Sequence, residues 1–574
     1  MTDPQLVLVE RVQQALATAF GQEYAVEDPL IRPSQFADYQ ANVAMSLAKR
    51  LRRAPRDVAS QLAEVLDLPG TVEVSGPGFL NLRFHDSWIA AEAGALLADD
   101  RLGVPKELPS KTVVVDYSAP NAAKEMHVGH LRTTVVGDAL VRVQEHLGNR
   151  VVRQNHLGDW GTPFGMLIEH LLDIGEEAAV AQLEAGNGND YYQAARAKFD
   201  ADPEFNRRAR ARVVTLQAED PETMRLWRIF MDATVRYFNK VYTQLGVTLT
   251  DDDIAGESMY NAALAQVCDE LQERGIAEIS DGALCVFPPG FTGRESQPLP
   301  FMIRKSDGGY GYATTDMATI RYRVQDLKAD RLLYAIGATQ ALHMQMLFAS
   351  AKMAGWLPDH VSAEHVQIGS VLGSDGKMFK TRAGKSIKLL ELLDEAETRA
   401  AAVLADRPGL DDAARGEIAH MVGMGAVKYA DLSVSHDSEY VFDFDRMLAL
   451  TGNTGPYLQY ATTRIRSIFR GGELDPAGSY GPVVITHPAE RALALQLLGF
   501  GGVVTEVGER NEPHRLCAYL FDLASAFTTF YENCPVLKAD SEEARQSRLA
   551  LSQLTLRVLL QGLDLLGITA PERM

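Results

Sequence analysis

The chain has 574 residues, 46% hydrophobic and 23% charged; this is an ordinary globular composition that excludes general disorder and leaves room for about three or four domains. Acidic residues outnumber basic ones 76 to 56, a formal charge of -20, so a general polybasic nucleic-acid binder is excluded and any RNA contact has to come from local patches. No run of about 18 uncharged apolar residues occurs, the N-terminus lacks a basic stretch ahead of an apolar one, and Cys268, Cys285, Cys517 and Cys534 stand singly, which argues against a membrane span, a signal peptide, a disulfide scaffold or a cysteine-rich zinc site and fits a reducing cytoplasm.

In chain order, residues 5–20 and 40–66 carry apolar residues at helical spacing, and TVEVSGPGFLNLRF (71–84) reads as two strands around a Gly-Pro-Gly turn. These form a small α+β domain, residues 1–108, closed by the proline-bearing linker RLGVPKELPS. TVVVDY (112–117) is a continuous apolar run, the mark of a strand buried on both faces. Val128, Leu131, Val135, Ala139, Val143 and Leu147 then repeat at helical spacing, and VVRQ follows as a strand, which completes a βαβ unit of a parallel sheet. LLYAIG (332–337) and HVQIGSVL (365–372) are further strands with a helical run, 340–354, between them. Residues 166–275 read as a helical insertion within an α/β domain spanning 109–387. From 388 the pattern is helices alone: a connecting region, 388–450, and a bundle, 451–574, whose last helix runs from about Glu542 to Leu566.

His127-Val128-Gly129-His130 stands where the first sheet strand hands over to its helix. Ligands of open parallel sheets bind outside the carboxyl ends of the strands, and a helix N-terminus offers free N–H groups and positive potential to phosphate. Gly129 removes a Cβ where a nucleotide could approach, and the two histidines, three apart, can donate to phosphate oxygens together. Far downstream, Ser374-Asp375-Gly376-Lys377-Met378-Phe379-Lys380-Thr381-Arg382 is a polar loop after a strand. Taken alone it reads first as a solvated lysine surface; above a triphosphate, Lys377 and Lys380 would neutralise a departing pyrophosphate.

H-V-G-H and K-M-F-K resemble the paired H-I-G-H and K-M-S-K motifs of class I aminoacyl-tRNA synthetases, with Phe379 in place of serine. SAPNAAKEMHVGHLR (118–132), NHLGDWGTPFG (155–165), YATTDMA (312–318), ATQALHMQMLF (338–348), DGKMFKTRAG (375–384) and TGNTGPYLQYA (451–461) resemble the motifs of the arginyl-tRNA synthetase family, in its order. The likeness runs from GPGFLN near the N-terminus to PERM at the end.

That resemblance implies a Rossmann-type parallel-sheet catalytic domain with a helical insertion, an N-terminal α+β domain that grips the tRNA corner, and an all-α C-terminal anticodon-binding bundle. It implies ATP-dependent activation of arginine, assigned to His127, His130, Lys380, Lys377 and Lys124, with Gly129 also at the ATP, followed by transfer to the 2′-hydroxyl of the terminal adenosine of tRNA. Magnesium accompanies the triphosphate, held mainly by phosphate oxygens and water; no structural zinc is expected. Family members with a poor second motif rely on a lysine before the first, the place of Lys124 here. The family's arginine pocket maps onto Asp116, Asn121, Tyr312, Asp316 and Gln340, with Asp316 on the guanidinium and Asp116 and Asn121 at the α-amino end; a planar fork of five donors calls for such acceptors, and lysine could not satisfy them. For tRNA, Asn81 and Phe84 are the corner contacts, and Tyr457, Tyr460, Arg464, Tyr531 and Met574 the anticodon contacts. Three basic clusters read, each taken alone, as solvated helix faces, and in an RNA binder as its phosphate contacts: Lys49, Arg50, Arg52, Arg53 and Arg56; Arg207, Arg208, Arg210 and Arg212; Arg464, Arg466 and Arg470. A monomer without membrane partners is expected. The rival readings are a sister H-x-G-H enzyme, against which stand the missing zinc cysteines and the short helical insertion, and an inactive RNA-binding scaffold, against which stand His127, His130, Lys380, Asp316 and Gln340.

Overall fold

The computed structural model describes residues 3–184, 188–293, 296–379, 387–405 and 411–574. It divides into two compact units: Met1–Pro105 with Leu450–Asp564 and Thr569–Met574, and Lys106–Ala449 with Leu565–Ile568.

The N-terminal part of the first unit opens with α1 (Pro4–Phe20), capped by Asp3, whose carboxylate accepts from the Gln5 and Leu6 N–H groups, with Pro4 in the first turn. The 40–66 stretch is not one helix. It starts as a strand and then breaks into α2 (Val43–Leu51) and α3 (Pro55–Val65), because Arg52 is left-handed at φ 53 and Pro55 restarts the chain. Strands β1 (Ile31–Pro33), β2 (Tyr39–Ala41), β3 (Gly70–Ser75) and β4 (Phe79–Phe84) form an antiparallel sheet in the order β1-β2-β4-β3, and α4 (Asp86–Ala98) follows.

The second unit is built on a four-stranded parallel sheet: β5 (Thr112–Asp116), β6 (Arg150–Gln154), β10 (Arg331–Gly337) and β11 (Ser362–Ile368), in the order β11-β10-β5-β6. The connection from β5 to β6 is α5 (Gly129–His146), and α13 (Ala341–Met353) joins β10 to β11. The chain runs outward in opposite directions from β5 and from β10, so the switch point lies between those two strands and the crevice beyond Asp116 and Gly337 is where a ligand belongs.

Helices α6 (Thr162–Ile174), α7 (Glu176–Glu184), α8 (Gly188–Ala201), α9 (Pro203–Gln217), α10 (Pro221–Leu245) and α11 (Leu264–Glu273) make the insertion. An unexpected antiparallel sheet follows: β7 (Ala277–Ser280), β8 (Ala283–Val286) and β9 (Phe301–Arg304). Asp281 and Gly282, both at positive φ, form the turn between its first two strands, the arrangement a tight hairpin requires. Helix α12 (Tyr312–Gln325) buries Met317 and Ile320 against Val114, Leu332 and Val267.

After β12 (Val371–Leu372) come α14 (Leu389–Leu404), α15 (Asp412–Leu432), β13 (Tyr440–Val441) and the short α16 (Phe444–Met447). The connecting region is therefore not helices alone: β13 pairs in parallel with β12. The chain then returns to the first unit with α17 (Gly455–Gly471), α18 (Pro488–Leu498), α19 (Phe500–Arg510), α20 (His514–Asn533) and α21 (Glu542–Leu565). Arg491 of α18 donates to both Asp38 oxygens at 2.6 and 2.9 Å and to Asp86 at 2.6 Å. The N- and C-terminal parts thus share one compact body.

Candidate functional site

The turn after β5 holds the two histidines with their rings 4.0 Å apart. The Gly129 N–H donates to His127 Nδ1 at 3.0 Å and the His127 N–H donates to His130 Nδ1 at 3.1 Å. Both Nδ1 atoms are therefore acceptors, which leaves each neutral ring one donor, Nε2–H. Burial and Lys124 keep His127 below the usual imidazole range, and burial with His127 pushes His130 down to about 3. The pair offers neutral hydrogen-bond donors rather than positive charges. A Cβ on Gly129 would lie 2.8 Å from His127 Cε1, so the absence of a side chain here makes room for the His127 ring.

The chain beyond the second motif is tied to the first, at residues 387–389. The Val128 N–H donates to the Ile387 carbonyl at 3.1 Å and the Leu389 N–H to the Met126 carbonyl at 2.9 Å, while Lys388 pairs with Glu125 at 3.0 Å. On the other side the Phe379 N–H donates to the Val371 carbonyl at 3.1 Å and the Phe379 ring stacks on Phe442 at 4.9 Å. Lys377 is at the exposed tip of this hairpin. Lys380 lies outside the described residues.

Helix α12 starts at Tyr312, 70% exposed, and places Asp316 one turn on. Asp316 Oδ2 is 2.6 Å from His343 Nε2. Glu257, which the sequence reading missed, lies within electrostatic reach of Asp159 and Asp316; burial and those two carboxylates push it up to about 8. Asp159 is buried and accepts from the Ser258 N–H at 2.8 Å and the Ser258 hydroxyl at 2.6 Å. A Cβ on Gly256 would meet Asp159 Oδ2 at 2.3 Å, so only glycine lets that carboxylate reach the loop carrying Glu257. The charges of Asp159 and Asp316 thus act on Glu257, an environment that favours an incoming cation. Tyr192 of α8 joins this acidic end to the histidines: Lys124 Nζ is 4.4 Å over its ring, Tyr192 and Glu257 both act on the Tyr312 phenol, and Lys124 acts on both histidines. No motif marks Glu257 or Tyr192, and His343 lies unmarked within ATQALHMQMLF.

Asn121 is exposed and bridges to Gly158, and Gln340 ends a turn directly after β10, also exposed. Asp116 is 2% exposed and accepts from Arg323 Nη2 at 2.8 Å, a contact that ties α12 to β5.

In the first unit, Asn81 accepts from Gln40 Nε2 at 2.9 Å on the outer face of the sheet. Phe84 is 1% exposed and stacks on Trp88 at 4.1 Å. It is core, not an RNA contact, since strand alternation points it inward with Leu80 and Leu82. Tyr457 is half-buried against Phe521, 5.7 Å between ring centres. Tyr460 and Tyr531 are exposed, with the Arg464 guanidinium 4.6 Å over the Tyr531 ring, and Met574 is half-exposed.

The arginine clusters are largely engaged within the protein. Arg466 and Arg470 donate to the Pro571 and Glu572 carbonyls. Arg208 and Arg212 both pair with Glu169, and Arg207 with Glu204. In the first cluster Arg50 pairs with Glu27 and Arg56 donates to the Gly76 carbonyl.

Comparison with known proteins decides the family. Residues 92–444 match the model described as tRNA synthetases class I (R), catalytic domain, 458–574 the DALR anticodon binding domain, and 7–84 the arginyl tRNA synthetase N terminal domain. The chain belongs to the arginyl-tRNA synthetase family. It is 63% identical to an arginine–tRNA ligase of Thermobifida fusca, with 100% of each chain covered. Solved arginyl-tRNA synthetases resemble it in fold. That of Plasmodium falciparum matches with a TM-score of 0.83 at 27% identity, covering 100% of this chain and 99% of that one. That of Thermus thermophilus matches with a TM-score of 0.79 at 26% identity, covering 100% of both.

Proposed function

We propose a division of labour for the two steps by which this chain, an ATP-dependent arginine–tRNA ligase, charges its tRNA. The observation that carries it is the action of Asp159 and Asp316 on the buried Glu257 carboxyl, an acidic group linked to Lys124 of the first motif through Tyr312 and Tyr192. A guanidinium satisfies such a group with its fixed fork of donors, and a neutral side chain does not. Asp316 and Glu257 take the guanidinium, with Tyr312 and Gln340 at the rim. Asn121 holds the α-amino end, and Asp116, through Arg323, keeps α12 in place.

With arginine so held, its carboxylate oxygen attacks the α-phosphorus of ATP in line. The bond from that phosphorus to the β-phosphate oxygen breaks, pyrophosphate departs and arginyl adenylate forms. The Nε2–H groups of His127 and His130 donate to phosphate oxygens as charge gathers there. Lys377 and Lys124 add positive charge on the pyrophosphate side, with Lys380 as the second motif's own lysine. Magnesium would accompany the triphosphate, held by phosphate oxygens and water, the hard oxygen donors that suit this ion. The 2′-hydroxyl of the terminal adenosine then attacks the arginyl carbonyl, and AMP leaves.

Tyr460, Tyr531 and Arg464, with Tyr457 and Met574, form the anticodon surface, since single-stranded bases are read by stacking on aromatic and guanidinium planes. Asn81 serves the tRNA corner. We take the chain to work as a cytoplasmic monomer; among the described residues no helix is long and apolar enough to cross a membrane.

The test is ATP–pyrophosphate exchange with each amino acid in turn, with and without bulk tRNA. Exchange with arginine that appears only with tRNA supports the site and a tRNA-dependent first step. Exchange with arginine alone keeps the site and removes that dependence. Exchange with another amino acid overturns the pocket.

A further inference from the structure

Arg132 follows the H-V-G-H motif by two residues, and its guanidinium is shut away from water, 1% exposed. Its Nε donates to Asp431 Oδ1 at 2.5 Å, its Nη1 to the Ser438 carbonyl at 2.6 Å and its Nη2 to the Ser435 carbonyl at 3.3 Å. The guanidinium carbon lies 5.2 Å from the centre of the Tyr440 ring. Each of these partners belongs to the stretch that leaves α15 and enters β13, and none belongs to the arginine pocket.

That stretch carries the lysine hairpin. The Gly369 N–H donates to the His436 carbonyl at 2.7 Å and the Phe442 N–H to the Leu372 carbonyl at 2.9 Å. β13 pairs with β12, and Phe442 supports the ring of Phe379. One continuous route of hydrogen bonds and stacked rings therefore runs from the helix bearing His130, through Arg132, to the hairpin bearing Lys377.

A buried ion pair gives little net stability against an apolar replacement of the same volume, and its best use is to fix geometry. Arg132 suits that use. Its rigid fork fixes one carboxylate and two carbonyls at once, which an ammonium on a flexible stem cannot do.

We propose that Arg132 is a positioning residue that sets the Lys377 hairpin against the H-V-G-H turn, and so serves ATP activation and not arginine recognition. The inference rests on reading the two motifs as the activating pair.

Its test uses the full chain with Arg132→Lys, Arg132→Gln and Phe442→Leu, the last reaching the hairpin from its far side. Arginine-dependent ATP–pyrophosphate exchange is measured with tRNA present, separating kcat, KM for ATP and KM for arginine, alongside thermal melting. Arg132→Lys is expected to lower kcat/KM for ATP by about ten- to a hundredfold, the scale of a misplacement of about 1 Å, while KM for arginine stays within about twofold. Phe442→Leu moves the same quantity in the same direction, and the double variant loses less than the product of the two, as two breaks in one route should. A general loosening of the fold would raise both KM values together. Should the Arg132 variants fail to fold, the Phe442→Leu selectivity carries the test alone. Folded variants with unchanged exchange, or with arginine weakened as much as ATP, overturn the inference. A wild-type chain without arginine-dependent exchange overturns the underlying reading, and this one with it.

Discussion

His343 and Asp316 form a contact of 2.6 Å between Nε2 and Oδ2, in which the imidazole comes from α13 and the carboxylate from α12. The histidine occupies one carboxylate oxygen and leaves the other free of it; in the proposed pocket it would set how Asp316 is presented to a guanidinium. Replacing His343 by Ala removes that orientation without touching the ligand. KM for arginine should rise about tenfold, the worth of a hydrogen bond to a charged group, with kcat nearly unchanged. His343→Gln, which can still donate, should recover most of the loss. A KM for arginine that does not move in the alanine variant would show that Asp316 needs no such support.

Glu257 predicts a proton balance. Its carboxyl is held up to about 8 by burial and by Asp159 and Asp316, so it is mostly protonated at neutral pH in the empty pocket. A guanidinium favours the ionised form, so binding expels a proton. Affinity for arginine should therefore rise as the pH rises from about 6 to about 8, then level off. Calorimetric titrations in buffers of different ionisation enthalpy should show proton release near neutral pH. Glu257→Gln should abolish that release and lower kcat/KM for arginine by about a hundredfold, the scale for breaking a desolvated charge pair. Equal binding enthalpies in all buffers would rule out the proton on Glu257.

Much of this site was legible before any coordinates. TVVVD reads as a buried parallel strand because both of its faces are apolar, and the helical spacing of Tyr312 and Asp316 puts them on one side of α12. Other parts were legible but misread. The alternation that sets Asn81 outward also sets Phe84 inward beside Leu82, and the Asp281-Gly282 hairpin turn was legible but went unread. What could not be read was convergence. Asp159, Glu257 and Asp316 stand far apart in the chain in segments of unlike texture, and only the insertion's path brings them together. Nor does residue type reveal that Asp116 pairs with Arg323, two turns beyond Asp316 on the same helix.

Gly129 tests the histidine geometry. A methyl group at this position would press on the His127 ring at 2.8 Å from Cε1, a distance that forces the imidazole to move. Gly129→Ala should fold normally, because alanine favours a helix start over glycine. It should lower kcat of pyrophosphate exchange by about a hundredfold through misplacement alone, while equilibrium binding of arginine is kept. Full exchange activity in the alanine variant would mean that the His127 ring takes another position during the reaction.

Arg464 and Tyr531 offer the sharpest test of the RNA surface. The guanidinium lies 4.6 Å over the ring, and Tyr531 with Tyr460 remains exposed in a protein of net charge -20. A half-buried cation set over an exposed aromatic ring provides stacking area and positive charge in one place. Arg464→Ala should raise KM for tRNA about tenfold, within the range measured for losing one stacked base, and should weaken the salt dependence of tRNA binding. Tyr531→Phe keeps the ring and should cost little, whereas Tyr531→Ala should match the arginine variant. Exchange kinetics for ATP and arginine at saturating tRNA should be unchanged in all three. If Tyr531→Phe proves as damaging as Tyr531→Ala, the phenol hydroxyl and not the ring face is what the RNA uses, and the stacking assignment falls.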